Sequence, residues 1–182
     1  MKKFLYLNFL KLYLDLKFFM NNLVNNQKLP FKRFRDFKVN NSNTFFGYHD
    51  KISLKNGKLL SHENKGDKYF VGYFDQKQNF NRVKKTSLCS WQLGSQLQWV
   101  DKNLIAFNCE KKNKPISIFY DLKKKKILKS FSQLIFNVDN QKKNFISLNF
   151  QNLYKSRDGY GYDLKKFDNQ KISDDLIIVN IK

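Results

Sequence analysis

The feature that most constrains this chain is an internal repeat. Three segments share one form, a polar turn carrying Asn, Asp or Gln with Lys that runs into an apolar strand. They are Asn56-Gly57-Lys58-Leu59-Leu60, Asp101-Lys102-Asn103-Leu104-Ile105-Ala106-Phe107 and Gln141-Lys142-Lys143-Asn144-Phe145-Ile146-Ser147-Leu148. Aligned on Leu59, Leu104 and Phe145, they lie 45 and 41 residues apart. Each precedes a second strand, at 69–75, 116–122 and 176–181, and the first two continue into a third, basic strand at 82–88 and 124–129. Side chains alternate between faces along Tyr69-Phe70-Val71-Gly72-Tyr73-Phe74-Asp75, as a half-buried strand requires.

A period of this length built from short antiparallel strands is the signature of propeller blades. Helical solenoids of similar period would need a 3.6-residue pattern, which these segments lack. The expected fold is therefore all-β, with about three antiparallel blades of an incomplete β-propeller at about 44–90, 91–130 and 131–182. The third unit carries an insertion, 149–174, rich in Tyr, Gly and Asp. Closed propellers take roughly four to eight blades, so about three leave the ring open. The expectation is a fragment, either a truncated reading frame or a piece completed by a second polypeptide. A compact β-sandwich or an open sheet made of the same strands is the alternative.

Ahead of the repeat, residues 1–26 read as an amphipathic helix. Leu5, Phe9, Leu12, Leu16, Phe19 and Leu23 recur at helical spacing, with Asn8, Lys11, Asp15 and Asn22 opposite. Lys11, Asp15 and Lys17 interrupt the apolar stretch, which argues against a signal peptide. Two readings of this helix stand: packing on its own domain or a partner, and lying on a membrane surface. A basic linker follows at 27–43, with Pro30 as breaker and Lys32, Arg33 and Arg35 exposed. Every apolar run is cut by charge before it reaches the roughly 18 residues of a membrane span.

Charge is the most conspicuous number and says less than the repeat. The net charge is +20, from 35 basic against 15 acidic residues. Of the basic residues 31 are Lys and only four are Arg (Arg33, Arg35, Arg82, Arg157), while Ala106 is the one alanine. Arg is the residue that grips phosphate with a planar fork. A Lys-rich, Asn-rich, Ala-poor chain instead fits compositional drift on solvated faces, and nucleic acid is not an expected partner. Two cysteines, Cys89 and Cys109, cannot make a disulfide scaffold; both are read as small hydrophobes in apolar strands of a reduced, cytoplasmic protein, which the helix could hold at the inner membrane surface.

The candidate chemistry is sparse. His49, Asp50 and His62 are the one cluster suited to a base or a metal, although neighbours on a strand face opposite ways. Trp91, Gln92, Gln96, Gln98 and Trp99 combine rings on which sugars stack with amides that bond their hydroxyls. Arg157, Tyr160 and Tyr162 lie on the insertion, where Gly159 and Gly161 give the loop flexibility, a composition suited to an acidic glycan and equally to a structural strap. No Gly-x-Ser-x-Gly elbow and no phosphate-cradling glycine loop is present, so no catalytic residue, metal or cofactor is assigned.

The segment Thr44-Phe45-Phe46-Gly47-Tyr48-His49-Asp50-Lys51 is similar to the opening motif of a family of uncharacterised bacterial β-propeller-like proteins. These are encoded beside glycosyltransferases in surface-polysaccharide clusters. The resemblance continues through Gly57-Lys58-Leu59-Leu60-Ser61-His62, the Trp91 to Trp99 segment, Ile105-Ala106-Phe107-Asn108, Ile146-Ser147-Leu148-Asn149-Phe150 and Arg157-Asp158-Gly159-Tyr160-Gly161-Tyr162. Here His49 replaces a Tyr, Gln92 is followed by Leu93 where the family pairs two Gln, and Cys109 replaces an Asp. The resemblance implies a parent about twice this length and adds Asn108 to the candidate ligand positions. It implies a scaffold linked to polysaccharide biosynthesis that binds a glycan or a protein. The competing expectations are part of a carbohydrate-active enzyme and a basic adaptor at membrane or nucleic acid.

Overall fold

The computed structural model describes residues 43–47, 51–66, 68–167 and 176–182. All belong to the second of two units into which the chain divides, 37–182. The expected helix at 1–26, nearly all of the linker, and His49 and Asp50 lie outside the described residues.

The described chain is mostly β-strand, arranged as three antiparallel sheets, none of which closes on itself. The first holds β1 (Asn43–Phe45), β2 (Leu54–Lys55), β3 (Lys58–Lys65), β4 (Lys68–Phe74) and β5 (Phe80–Thr86). Its order is β1-β3-β4-β5, with β2 also on β3. The second runs β6 (Gln98–Trp99), β7 (Leu104–Lys111), β8 (Lys114–Asp121) and β9 (Lys126–Phe131) in sequence order. The third runs β10 (Ile135–Val138), β11 (Asn144–Ser147) and β12 (Ile177–Asn180). Between β11 and β12 lies α1 (Phe150–Ser156), with Asn149 as N-cap accepting from the Asn152 N–H.

Turn chemistry explains why the chain folds back where it does. Asn56 and Gly57, at φ 51° and 68°, form the two-residue hairpin loop between β2 and β3, and Lys112 and Asn113, at 49° and 55°, do so between β7 and β8. Two successive left-handed residues make the turn whose twist matches paired strands. At the far end of β4 and β8, Asp75 and Asp121 each accept backbone N–H bonds, from Lys77 and Asn79 and from Lys123 and Lys124. Such side-chain turns need the short carboxylate of Asp.

The registers refine the repeat by one residue. Lys65 pairs Lys68 as Lys111 pairs Lys114, so the first spacing is 46 rather than 45. Ile181 N–H bonds the Lys143 carbonyl as Leu122 N–H bonds that of Asn103, so the second is 40 rather than 41. Leu60, Ala106 and Ile146 are thus equivalent, as are His62, Asn108 and Leu148.

The core lies between sheets. Leu60 and Val71 of the first sheet pack on Ile105, Phe107, Cys109 and Ile118 of the second. Ala106 and Phe119, on the opposite face of the second sheet, pack on Ile135 and Phe145 of the third. A separate cluster joins Leu88 and Leu134 to Phe150, Tyr162, Leu164 and Phe167, seating α1 and the segment after it. The insertion expected to be a loop therefore contains a helix and contributes core. Cys89 also departs from expectation, because it lies in the connection after β5 rather than in a strand.

Candidate functional site

The predicted site residues separate into a buried set and a set that is exposed or half-buried. His62, Gln96, Asn108 and Tyr162 are all buried. His62, on β3, is fully enclosed and reaches Ser95, in the connection ahead of β6 whose carbonyl accepts the Asn108 N–H of β7. Its Nε2 accepts the Ser95 backbone N–H at 3.1 Å and lies 2.8 Å from Ser95 Oγ. The proton therefore sits on Nδ1, which donates to the Phe45 carbonyl at 3.3 Å. Burial is the main reason its pKa falls from 6.5 to about 4, with the Phe45 and Phe46 carbonyls pulling the other way. Gly94 is required beside it: at φ +58°, a Cβ there would stand 2.5 Å from the imidazole Cε1.

Asn108, the equivalent residue on β7, does the same work one junction further on. Its Oδ1 accepts the Ile135 N–H at 2.8 Å and its Nδ2 donates to the Ile135 carbonyl at 2.9 Å. An amide side chain here imitates a strand and joins the second sheet to the third. Nδ2 also reaches the Tyr162 hydroxyl at 3.3 Å, which donates to the Gly94 carbonyl. Burial raises the Tyr162 pKa, so the phenol stays protonated. Gln98 adds a second strap, with Oε1 accepting from Val138 N–H at 3.0 Å and Nε2 donating to the Phe136 carbonyl at 3.3 Å.

The His62–Ser95 distance suits a base and a nucleophile, but both residues are fully enclosed and the base is oriented by a carbonyl rather than a carboxylate. A substrate carbonyl has no route to that hydroxyl. The cysteine thiols are no better placed, since burial pushes Cys109 up to about 12 and Cys89 higher still. Among the described residues, no group of three or more His, Cys, Asp or Glu could hold a metal, and no helix is long and apolar enough to cross a membrane.

The exposed set converges. Trp91 is 66% exposed, and its indole Nε1 lies against Gly159, where a Cβ would overlap it. The neighbouring Gln92 N–H donates to the Gly159 carbonyl at 3.3 Å. On the same loop the Arg157 guanidinium covers the Tyr160 ring at 4.2 Å. Trp91, Gln92, Arg157 and Tyr160 thus form one patch from two loops more than 60 residues apart in sequence. Gly159, at φ +77°, allows both the loop reversal and the approach of the indole.

Clefts among the described residues lie elsewhere. One, of about 510 Å³, is bounded by Glu63, Tyr73, Arg82, Val83, Tyr120 and Lys125, with Arg82 gripping the enclosed Glu63 carboxylate bidentately at 2.5 and 2.9 Å. A second, of about 490 Å³, lies along the first strands of the sheets, with Ile52, Lys55, Gln98, Trp99, Val138 and Lys142 in its walls. Sequence reasoning missed both, because each is assembled from residues on different sheets. Beside the second, Lys51 Nζ donates to Gln96 Oε1 at 2.6 Å, and the enclosed Gln96 Nε2 has no hydrogen-bond partner among the described residues.

Comparison with protein-family models, curated proteins and solved structures finds no match to this chain.

Proposed function

We propose that the chain is a non-catalytic binding scaffold whose three sheets are successive blades of a propeller-type assembly, and that its patch at Trp91 and Arg157 binds an acidic glycan. The observation that carries this reading is the convergence of exposed Trp91 and Arg157 with half-buried Gln92 and Tyr160 on one surface, while the enclosed polar residues are consumed in joining sheet to sheet. An exposed indole presents a flat apolar face to a sugar ring, and a guanidinium beside it pairs with a uronate carboxylate. The blade reading is supported by equivalent packing at 46- and 40-residue steps and by the matching Asp75 and Asp121 turns.

Calorimetric titration with uronate-containing oligosaccharides and neutral analogues of the same length tests it. Binding of the acidic series, lost in Trp91→Ala and weakened about tenfold in Arg157→Gln, is the expected result. Equal affinity for neutral and acidic chains, or binding that survives Trp91→Ala, would remove the assignment of this patch. Trp91 is exposed, so its replacement should leave stability within about 0.5 kcal/mol.

A further inference from the structure

One enclosed donor is left over when the sheets are joined. Gln96 is 1% exposed, and its Nε2 has no hydrogen-bond partner among the described residues. A buried amide hydrogen without a partner is costly, and an acceptor supplied by a ligand removes that cost. The backbone at Gln96 is left-handed as well, at φ 57°, a conformation that a residue with a side chain adopts at a cost. Constraints of this kind gather at binding sites.

This amide lies beside the cleft of about 490 Å³. Its Oε1 accepts from the Lys51 ammonium at 2.6 Å, and its backbone carbonyl accepts from Gln98 Nε2 at 3.0 Å; both partners line that cleft. An ammonium carries three donors, so Lys51 can serve Gln96 and a ligand together. Lys55 and Lys142 add two further cations to the walls. The carboxylates nearby are already engaged: Asp139 accepts from the Lys143 N–H and from Asn144 Nδ2, and Asp101 is paired with Lys142 at 2.7 Å and lies near Lys55. What the walls offer a ligand is thus mostly donors and positive charge. One wall is flat, where half-buried Trp99 has its indole N–H fixed on the Ser53 carbonyl at 2.9 Å.

We propose that this cleft binds a small phosphate monoester, its phosphate against Gln96 Nε2, Lys51 and Lys55 and its organic body on the Trp99 face. Ammonium groups act on phosphate as point charges, whereas the planar fork that matches a carboxylate belongs to arginine, and no arginine lines the cleft among the described residues. A cavity of this volume suits a molecule of sugar-phosphate size, and a fixed indole gives a sugar ring a face to stack on. None of these residues belongs to the Trp91 patch, so the proposal does not rest on the glycan reading and survives its failure.

Fluorescence titration of the full chain tests it. Trp91→Phe leaves Trp99 as the one tryptophan and removes the proposed glycan-stacking face, so the signal reports this cleft alone. Glucose 6-phosphate should change that emission saturably, glucose should not, and inorganic phosphate should compete. In the same background Gln96→Met and Lys51→Met should each weaken binding about tenfold, because each removes a hydrogen bond to a charged group. Lys124→Met, on the exposed turn after β8, should leave binding unchanged and controls for the general attraction of a +20 chain for anions. Without ligand, Gln96→Met should melt within about 3 °C of its parent, since removal of the orphaned donor offsets the lost Lys51 bond. No saturable change, equal response to glucose, affinity untouched by Gln96→Met, or an equal loss in Lys124→Met would each overturn the proposal. Should Gln96→Met lose its far-ultraviolet dichroism, Lys51→Met decides the matter alone.

Discussion

The two sheet-to-sheet junctions are built at equivalent positions by different chemistry. At the first, the His62 imidazole takes the Ser95 N–H; at the second, the Asn108 amide takes both the N–H and the carbonyl of Ile135. Both side chains are fully enclosed and both meet backbone, so each saves polar groups that burial would otherwise leave unpaired. The difference is that an amide has one protonation state and an imidazole has two. One junction is indifferent to pH and the other is not, although the fold uses them identically.

The largest expected effect comes from the amide junction. Asn108→Leu keeps volume and removes both bonds to Ile135, leaving a buried N–H and a buried carbonyl without partners. At roughly 1–3 kcal/mol for each orphaned group, the loss should be about 3–4 kcal/mol by urea denaturation. A loss below about 1 kcal/mol would mean that water or a shifted strand takes over the bonds, and the comparison between junctions would fail.

Next is acid. His62 titrates at 6.5 unfolded and near 4 folded, so the unfolded chain binds more protons between these values. Stability is complete above about pH 6.5 and declines as pH falls toward 4, by at most about 3 kcal/mol. Asp75 is held below its usual 3.8 by the Asn79 N–H, and Asp101 by the Lys142 ammonium, so their contributions are lost only below that value. Urea midpoints at pH 7, 5.5 and 4.5 should therefore fall in the parent chain and stay nearly level in His62→Gln. A parallel fall in both would locate the acid sensitivity elsewhere.

These junctions also show where sequence reasoning reaches. The strands were legible because apolar alternation is local: β4, β8 and β12 fall within a residue or two of the expected segments and β11 lies inside its own, while β3 and β7 begin inside theirs and run five and four residues past the expected ends. The order of the repeat was legible for the same reason, while its register was off by one, because register is set by which residues pair across the hairpins. β1, β2, β6 and β10 went unread, being two to four residues long. α1 was hidden by a composition of Asn, Tyr, Lys and Ser that reads as loop, and it owes its place to Phe150 packing on Tyr162 at 4.7 Å. Of the site residues, Trp91 and Arg157 stand out in sequence by their chemistry, and the contact through Gly159 unites them. His62, Asn108 and Tyr162 stand out by theirs too, but burial assigns them to structure. No local pattern reports which face of a strand meets another sheet.

A smaller effect sharpens the second junction. Gln98 bonds Val138 and Phe136 of the same third sheet, but at 3.0 and 3.3 Å in partly buried surroundings where water can substitute. Gln98→Ala should cost about 1–2 kcal/mol. Combined with Asn108→Leu, it should fall short of additivity, because both straps hold β10. Strict additivity would make them independent and remove the idea of a single clamped junction.

The smallest effect carries the finest distinction at the first junction. His62 Nε2 has one lone pair, and both the Ser95 N–H, at 3.1 Å, and the Ser95 hydroxyl, at 2.8 Å, lie within reach of it. If the backbone donor holds the tautomer, Ser95→Ala keeps the junction and should cost less than about 1 kcal/mol, with the Nδ1 proton unmoved in nitrogen-15 spectra of the ring. If the hydroxyl holds it, the same change should loosen the ring and raise the imidazole pKa toward 6.5. The tautomer shift and the pH midpoint then move together. Agreement with the first outcome would define Ser95 as a backbone anchor whose hydroxyl is dispensable, the opposite of what a nucleophile beside a base would require.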